Sequence, residues 1–355
     1  MAFSGPEVSK NLGAISHTYV EDLMSKKAIV TGVAGFIGSH LAEKLLEEGY
    51  SVTGIDNFHS YYSEKIKRNN LAQVRVRAEH TEEDFEFEFI EGSILESPDL
   101  KMLPDDPELV FHLAAVAGTR SSMSNPSEYI KVNVQGTSKL IQSFDSIEKF
   151  VFVSSSSIYG ELSLDELPVT EDSDLSPETP YALSKINAEQ LVELYSDLYD
   201  FDYTILRPFT VYGPRQRPDQ VVTKFLHKII SGEPVTIYGD GSQTRDFTYV
   251  GDAVKGILKA AKKGEEVYNL SGGRRISVNQ LVDIMEEKSG KSVKRKYMEK
   301  HPADVMHTHA DISKAKDEIN YSPKVNLEEG IEKSVEWYKN SVYASKSVKN
   351  ISTFY

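Results

Sequence analysis

The sequence predicts an α/β protein: a doubly wound parallel sheet followed by a smaller α/β lobe. Three observations lead there. Short β-branched or aromatic runs alternate with helix-period segments through roughly the first two hundred residues, which is the pattern of repeated βαβ units. A glycine-rich turn follows the first run directly and opens the first helix. After about Pro208 the texture changes to Gly/Pro-rich turns, short apolar runs and two later amphipathic helices.

The runs are Lys27–Thr31 (KAIVT), Ser51–Ile55 (SVTGI), Phe87–Ile90 (FEFI), Leu109–Leu113 (LVFHL), Phe150–Ser155 (FVFVSS) and Tyr203–Leu206 (YTIL). In the helix after the first run, Ile37, Leu41 and Leu45 recur at i, i+4 and i+8 and set one apolar face toward the sheet. A helix starting near Glu178 carries Ala188, Leu191, Val192, Tyr195 and Leu198 on a comparable stripe, and the second lobe has helices near Val278–Lys288 and Leu327–Tyr338. The acidic segment Glu79–Glu88 reads as a solvated loop running into a strand. The expected division is a polar N-terminal extension over 1–25, a first domain over 26–208, a second lobe over 209–340 and a loosely held tail over 341–355. Part of 247–270 is expected to return to the first domain.

The 355 residues are enough for one large domain or two closely packed ones, and 39% hydrophobic with 26% charged residues is an ordinary globular composition. A formal charge of −14 argues against nucleic acid or an anionic membrane as partner. With no cysteine there is no disulfide and no thiolate nucleophile or metal ligand. No apolar run approaches a membrane span, and the first 25 residues lack a signal-peptide core, so the expectation is a cytoplasmic protein.

Gly32, Gly35 and Gly38 form a GxxGxxG turn between the first strand and its helix, with Phe36 and Ile37 at the helix start. Glycines there permit a tight turn and a close approach, so that a pyrophosphate sits on the helix N-terminal amides. Asp56 ends the second strand, where a carboxylate accepts hydrogen bonds from an adenosine ribose and repels a 2′-phosphate. The cofactor is therefore NAD rather than NADP. Beside it, Asn57, Phe58 and Arg68 extend the adenosine site or lie on the surface.

Tyr181 and Lys185 form a YxxxK pair, four apart on the Glu178 helix and so on one face. A tyrosine ordinarily titrates near 10; a neighbouring ammonium and a bound nicotinamide cation bring the phenol into range as a general base. The competing reading is a packed tyrosine and a solvated lysine on any helix. The four serines Ser154–Ser157 follow the strand FVFV directly, at the carboxyl end of a parallel strand where doubly wound sheets bind ligands. A hydroxyl there can bridge the tyrosine and a substrate hydroxyl.

With TGVAGFIGSHL, Asp56, FHLAA (111–115), NVQGT (133–137), SSSSIYG, YALSK, LRPFTVYGP (206–214), TRDFTYV (244–250) and PADV (302–305) in place, the chain resembles the extended short-chain dehydrogenase/reductases, specifically the nucleotide-sugar epimerases, over nearly all of residues 26–340. The resemblance implies a Rossmann domain carrying NAD, with Leu113, Ala114 and Ala115 on the cofactor wall, and a lobe that binds a UDP-sugar. It makes Tyr181 the base at sugar carbon 4, Lys185 its electrostatic partner and a holder of the nicotinamide ribose, and Ser155 the bridging hydroxyl. Hydride passes to NAD, the 4-keto sugar turns over, and the hydride returns to the other face.

Within the family, 4,6-dehydratases carry Asp and Glu directly after the bridging hydroxyl, and UDP-glucuronate decarboxylases keep a Glu at the second place. Here both are serine, Ser156 and Ser157, which implies epimerisation alone. LRPFTVYGPRQRPD resembles the UDP-glucuronate 4-epimerases, where Thr210 and Arg217 would hold the sugar carboxylate; UDP-glucose 4-epimerases usually have Asn at the Thr210 place. Arg245 matches the diphosphate-binding arginine and Asp304 a residue near the uridine ribose. Ser93 stands where the family often reads adenine with Asp, and His301 where many members have a second diphosphate arginine. His301, His307 and His309 match a loop that binds no metal. The favoured function is thus 4-epimerisation of UDP-glucuronate to UDP-galacturonate. Behind it stand UDP-glucose or UDP-N-acetylglucosamine 4-epimerisation, then UDP-glucuronate decarboxylation, and outside catalysis a sensor for NAD or UDP-sugar. Relatives commonly pair as homodimers, for which the Glu178 helix stripe is available unless it faces the sheet.

Overall fold

Seven short strands make the main sheet: β1 (Lys26–Thr31), β2 (Tyr50–Asp56), β3 (Phe87–Glu91), β4 (Leu109–His112), β5 (Lys149–Val153), β6 (Asp202–Pro208) and β7 (Glu266–Leu270). The computed structural model describes residues 26–81, 85–263 and 266–341; the extension over 1–25 and the tail from 342 lie outside them. All neighbouring strands are parallel, in the order β7-β6-β5-β4-β1-β2-β3. The order reverses between β1 and β4, which opens a crevice at the carboxyl ends of those strands.

Six strands fall where the sequence puts them, within one or two residues. The run at 150–155 is cut short after Val153: Ser154 N–H still donates to Leu206 O (2.7 Å), but the Ser155 hydroxyl accepts from Ser157 N (3.2 Å) and caps a tight turn over Ser156–Tyr159. The strand at 109–113 ends at His112, because Leu113 N donates to the Thr31 hydroxyl rather than to the ladder. The seventh strand was not among the sequence runs; it pairs with β6 from Glu266↔Thr204 to Leu270↔Pro208.

Helix α1 (Phe36–Glu47) follows β1 and buries Leu41 and Leu45 completely, each worth about 1.5–3 kcal/mol relative to exposure. After α2 (Glu64–Ala78), helix α3 (Pro180–Tyr199) starts two residues later than Glu178, since Pro180 occupies its first turn and the Thr179 hydroxyl caps Ala182 N. Its stripe is narrower than the sequence suggests. Ala188 and Val192 are buried, whereas Leu198 is 64% exposed; six residues past Val192 is about 1.7 turns, which carries Leu198 off the sheet-facing side.

The second lobe is built from α4 (Val221–Ser231), α6 (Val278–Ser289) and α7 (Leu327–Asn340), which enclose a separate apolar cluster of Val222, Leu226, Leu281, Met285, Ile331 and their neighbours. A reciprocal capping box fixes the start of α6, with the Ser277 hydroxyl on Gln280 N and Gln280 Oε1 on Ser277 N. Between these, α5 (Val250–Ala261) packs against β5, β6 and α1. Among the described residues no helix is long and apolar enough to cross a membrane.

Candidate active site

Strand β1 runs into a turn that only glycine can make. Gly32 has φ +71°, and a Cβ there would stand 2.9 Å from Ala114 N; a Cβ on Gly38 would stand 2.3 Å from Gly32 O. The turn therefore lets α1 sit directly on β1, with no side-chain cap at Gly35. Its first amides, which have no intrahelical acceptor, open onto a cleft of about 810 Å³. That cradle, with the positive end of the helix behind it, fits a pyrophosphate.

Asp56 Oδ2 accepts from Ala34 N (3.1 Å) and Oδ1 from Phe58 N (2.8 Å). Burial pushes its carboxyl up, opposed chiefly by the Lys67 charge and those two amides. Each oxygen keeps one lone pair for a ribose diol, so the residues present fit NAD. Asn57, Ser93, Leu113, Ala114 and Ala115 also line the cleft. Phe58 and Arg68 do not. The Phe58 backbone adopts φ +49° and turns the ring onto Phe89, with the Arg68 guanidinium 4.1 Å above it, while Arg68 binds Glu64 and Glu91 on the surface. The Phe58 amide orients Asp56, the carboxylate of the expected adenosine site, while its ring packs on Phe89.

A hydrogen-bond chain ties this wall to α3. Thr31 Oγ1 accepts from Leu113 N and Ala114 N (3.1 Å each), so its proton goes to His112 Nδ1 (2.7 Å). His112 must then carry its proton on Nε2, donated to Thr137 Oγ1 (2.9 Å), which donates to Asn133 O (2.6 Å). The Asn133 amide bonds Ser184 Oγ (2.9 Å), and Ser184 donates to Tyr181 O (2.7 Å). Burial, helped by the nearby Lys185 charge, holds His112 down at about 3, so it stays neutral in this role.

Tyr181 and Ser155 face each other where β5 ends. Burial pushes the phenol up, and a hydrogen bond with Ser155 followed by the Arg217 charge pull it back. Ser155 Oγ also meets Ser157 Oγ at 2.9 Å, and Ser156 lines the same floor. Lys185 is 3% exposed, its ammonium 4.1 Å from the centre of the Phe152 ring. Burial lowers it to about 7, against the pull of Glu189 one turn on.

From the second lobe, Thr210, Arg217, Arg245 and Asp304 all line the cleft. Arg217 is bidentate to Asp219 (3.1 Å twice) and packs over Tyr61. Arg245 donates to the carbonyls of Thr244 (2.8 Å) and Met306 (3.3 Å) and has no carboxylate partner among the described residues. Burial lowers its guanidinium below its usual range, and an arriving anion would supply the counter-charge that this cation lacks. Asp304 is held by Arg120 at 2.9 and 2.5 Å. His301 Nδ1 accepts from Ala303 N and His307 Nδ1 pairs with Thr244 Oγ1. Among the described residues no His, Asp and Glu group is arranged to hold a metal.

Sequence reasoning missed Tyr61, Arg120, Asp219 and Lys224, all of which line the cleft. Asp219 sat within the quoted RPD segment and was the one with a local signal. The others reach the cleft from segments with no such signature.

A nucleotide turn at a sheet switch point, a serine just past the end of β5 facing a tyrosine at the start of α3, and an arginine-lined second lobe define a class: NAD-dependent enzymes that work on a sugar-nucleotide-sized ligand. The chain belongs to the NAD dependent epimerase/dehydratase family, whose family model matches residues 28–271. It is 40% identical over 328 residues to a UDP-glucuronate 4-epimerase of Thermodesulfobacterium geofontis, covering 90% of this chain and 98% of that one. Among solved structures it resembles a mutant UDP-glucuronic acid 4-epimerase of Bacillus cereus, bound to UDP-4-deoxy-4-fluoro-glucuronic acid and NAD. The TM-score is 0.82 at 36% identity, with 88% of this chain and 99% of that one covered. A UDP-N-acetylglucosamine 4-epimerase of Methanobrevibacter ruminantium, bound to UDP-N-acetylmuramic acid, matches with a TM-score of 0.79 at 33% identity, covering 89% and 99%. Relatives of this kind are isomerases, and the protein is an NAD-dependent isomerase of the same family.

Proposed function

We propose that the protein interconverts UDP-glucuronate and UDP-galacturonate by inverting the hydroxyl at sugar carbon 4. The observation that carries the reading is the half-buried Arg217 guanidinium sharing one cleft with Tyr181, near enough for its charge to act on the phenol. Tyr181 takes the proton of the carbon-4 hydroxyl through Ser155 and gives it back after the 4-keto sugar has turned over. NAD, when bound, supplies reversible hydride transfer; the turn from Gly32 to Gly38, Asp56 and the Leu113–Ala115 wall would hold it, with Lys185 as the residue that would hold its nicotinamide ribose. Ser156 and Ser157 offer hydroxyls and no carboxylate, so this floor supplies no carboxyl acid or base for eliminating water. Thr210 and Arg217 hold the sugar carboxylate, Arg245 the diphosphate, and Asp304 the uridine ribose in competition with Arg120.

One observation favours a second reading. Asp219 already pairs with Arg217, and an arginine with its own counter-charge suits a neutral UDP-hexose or UDP-N-acetylhexosamine. Purified protein given UDP-glucuronate, with products separated by chromatography, decides. UDP-galacturonate supports the proposal, UDP-xylose points to decarboxylation, and no turnover points to the neutral sugar or to a sensor. We also infer a homodimer through α3, whose outer face leaves Leu194 and Leu198 63% and 64% exposed; light scattering giving a monomer mass would overturn it.

A further inference from the structure

A guanidinium has two edges that can grip a carboxylate, Nε with Nη2 and Nη1 with Nη2. In Arg217 the first edge is taken: Nε donates to Asp219 Oδ1 and Nη2 to Asp219 Oδ2, each at 3.1 Å. Nη1 has no hydrogen-bond partner among the described residues, and the side chain lines the cleft. Asp219 is itself braced from the opposite wall. The Tyr61 hydroxyl, on the loop after β2, lies 3.2 Å from Asp219 Oδ2 and 3.0 Å from Ser121 Oγ, which meets Tyr129 OH at 2.8 Å. The Tyr129 ring packs edge-on against Tyr181, 6.1 Å between centres. A line of side chains thus runs from the phenol to the back of Arg217, and it fixes which edge of the guanidinium faces the sugar.

We propose that Asp219, braced by Tyr61, is a positioning residue that turns the free edge of Arg217 to the carboxylate of the sugar. The inference rests on the UDP-glucuronate reading and deepens it. Its chemical value lies in the 4-keto stage, when the sugar is a β-keto acid. In the leak that threatens it, the bond from carbon 5 to the carboxylate breaks and carbon dioxide leaves. The electron pair passes into the enolate of the carbon-4 ketone, and a solvent proton is taken up at carbon 5. A carboxylate gripped end-on by two parallel N–H groups keeps its charge localised and its plane fixed, and the leak is slowed. Asp219 touches no substrate; it acts through the orientation of Arg217.

The opposite view of the same pair, that Asp219 merely cancels the charge of Arg217, predicts the reverse signs. The test measures, for the wild type, Asp219→Ala and Tyr61→Phe, the ratio of UDP-pentose (ketone or alcohol) to UDP-galacturonate formed from UDP-glucuronate, together with KM. The ratio does not depend on how much of a variant is folded. Positioning predicts a ratio at least about tenfold higher in Asp219→Ala and about threefold higher in Tyr61→Phe, with KM raised in both, and no further rise when Asp219→Ala is added to Arg217→Ala, because the two residues act as a unit. Should Asp219→Ala fail to fold, Tyr61→Phe carries the decision alone. An unchanged ratio, or a lowered KM, in variants of an enzyme whose wild type makes UDP-galacturonate overturns the inference and leaves the functional reading standing. A wild type that makes no UDP-galacturonate overturns both.

Discussion

Arg207 and Glu189 form a bidentate ion pair in the interior, Nη2 to Oε2 at 2.8 Å and Nε to Oε1 at 3.2 Å, with side chains 6% and 4% exposed. Glu189 lies one turn after Lys185 on α3, and Arg207 lies on β6. The same guanidinium donates to Tyr159 OH (3.0 Å) and Glu171 O (2.9 Å), and Tyr159 donates to Asn269 Oδ1 on β7 (2.8 Å). One buried cation therefore joins the helix of Tyr181, the turn after the four serines and the last two strands of the sheet. Glu189→Gln leaves it without its counter-charge, and the expected loss is about 3–5 kcal/mol of stability. Urea unfolding of the two proteins measures this; a loss under about 1 kcal/mol would mean that the pair is replaceable.

Lys185 makes a pH prediction for the unliganded protein. Its folded pKa is lowered to about 7 by burial, against about 10.4 in an unfolded chain. Between those values the unfolded state holds a proton that the folded state has released, so stability rises with pH across that window and its gain is complete above it. Below about 7 both states are charged and the burial penalty stands in full. Lys185→Met should abolish the slope and raise the melting temperature at neutral pH while removing activity. Melting curves from pH 6 to 10 check it, and parallel slopes in the two proteins would contradict it.

Gly38→Ala should weaken NAD binding by at least about tenfold, some 1.4 kcal/mol. Its added methyl would meet Gly32 O at 2.3 Å, which displaces either the turn or the start of α1. Equilibrium titration with NAD reads the change; an affinity within about twofold of wild type would show that the cradle gives way without cost.

Ser157→Glu places a carboxylate on the floor beside Ser155, and the expected outcome is more pentose product from UDP-glucuronate than the wild type releases. The new group stands where it can exchange a proton with the 4-keto sugar and repel its carboxylate. Chromatography of the products reads it, and an unchanged pentose yield would remove the argument from the serine floor.

Much of this was legible in the sequence where chemistry and spacing are local. The turn from Gly32 to Gly38, Asp56 at a strand end, and Tyr181 four residues before Lys185 each carry their meaning within one element, and all line the cleft. What was hidden depends on the chain's return from far away. β7 pairs with β6 across the intervening chain of residues 209–265 and lacked a run distinct enough to name. Tyr61 and Asp219, 158 positions apart, meet only because the lobes face each other. The direction of the Phe58 ring was hidden for a different reason: adjacency to Asp56 says nothing of a left-handed backbone, which here turns the ring onto Phe89 and leaves the amide on Asp56.

The central claim is tested most directly by incubating the purified protein with UDP-glucuronate in deuterium oxide and following the sugar signals by NMR, with Tyr181→Phe in parallel. The wild type should form UDP-galacturonate that keeps its original hydrogen at carbon 4, and Tyr181→Phe should lose about 10²–10⁴-fold in rate while still binding NAD, the usual value of a positioned general base. Deuterium at carbon 4, pentose as the main product, or no conversion of UDP-glucuronate by the wild type would contradict it.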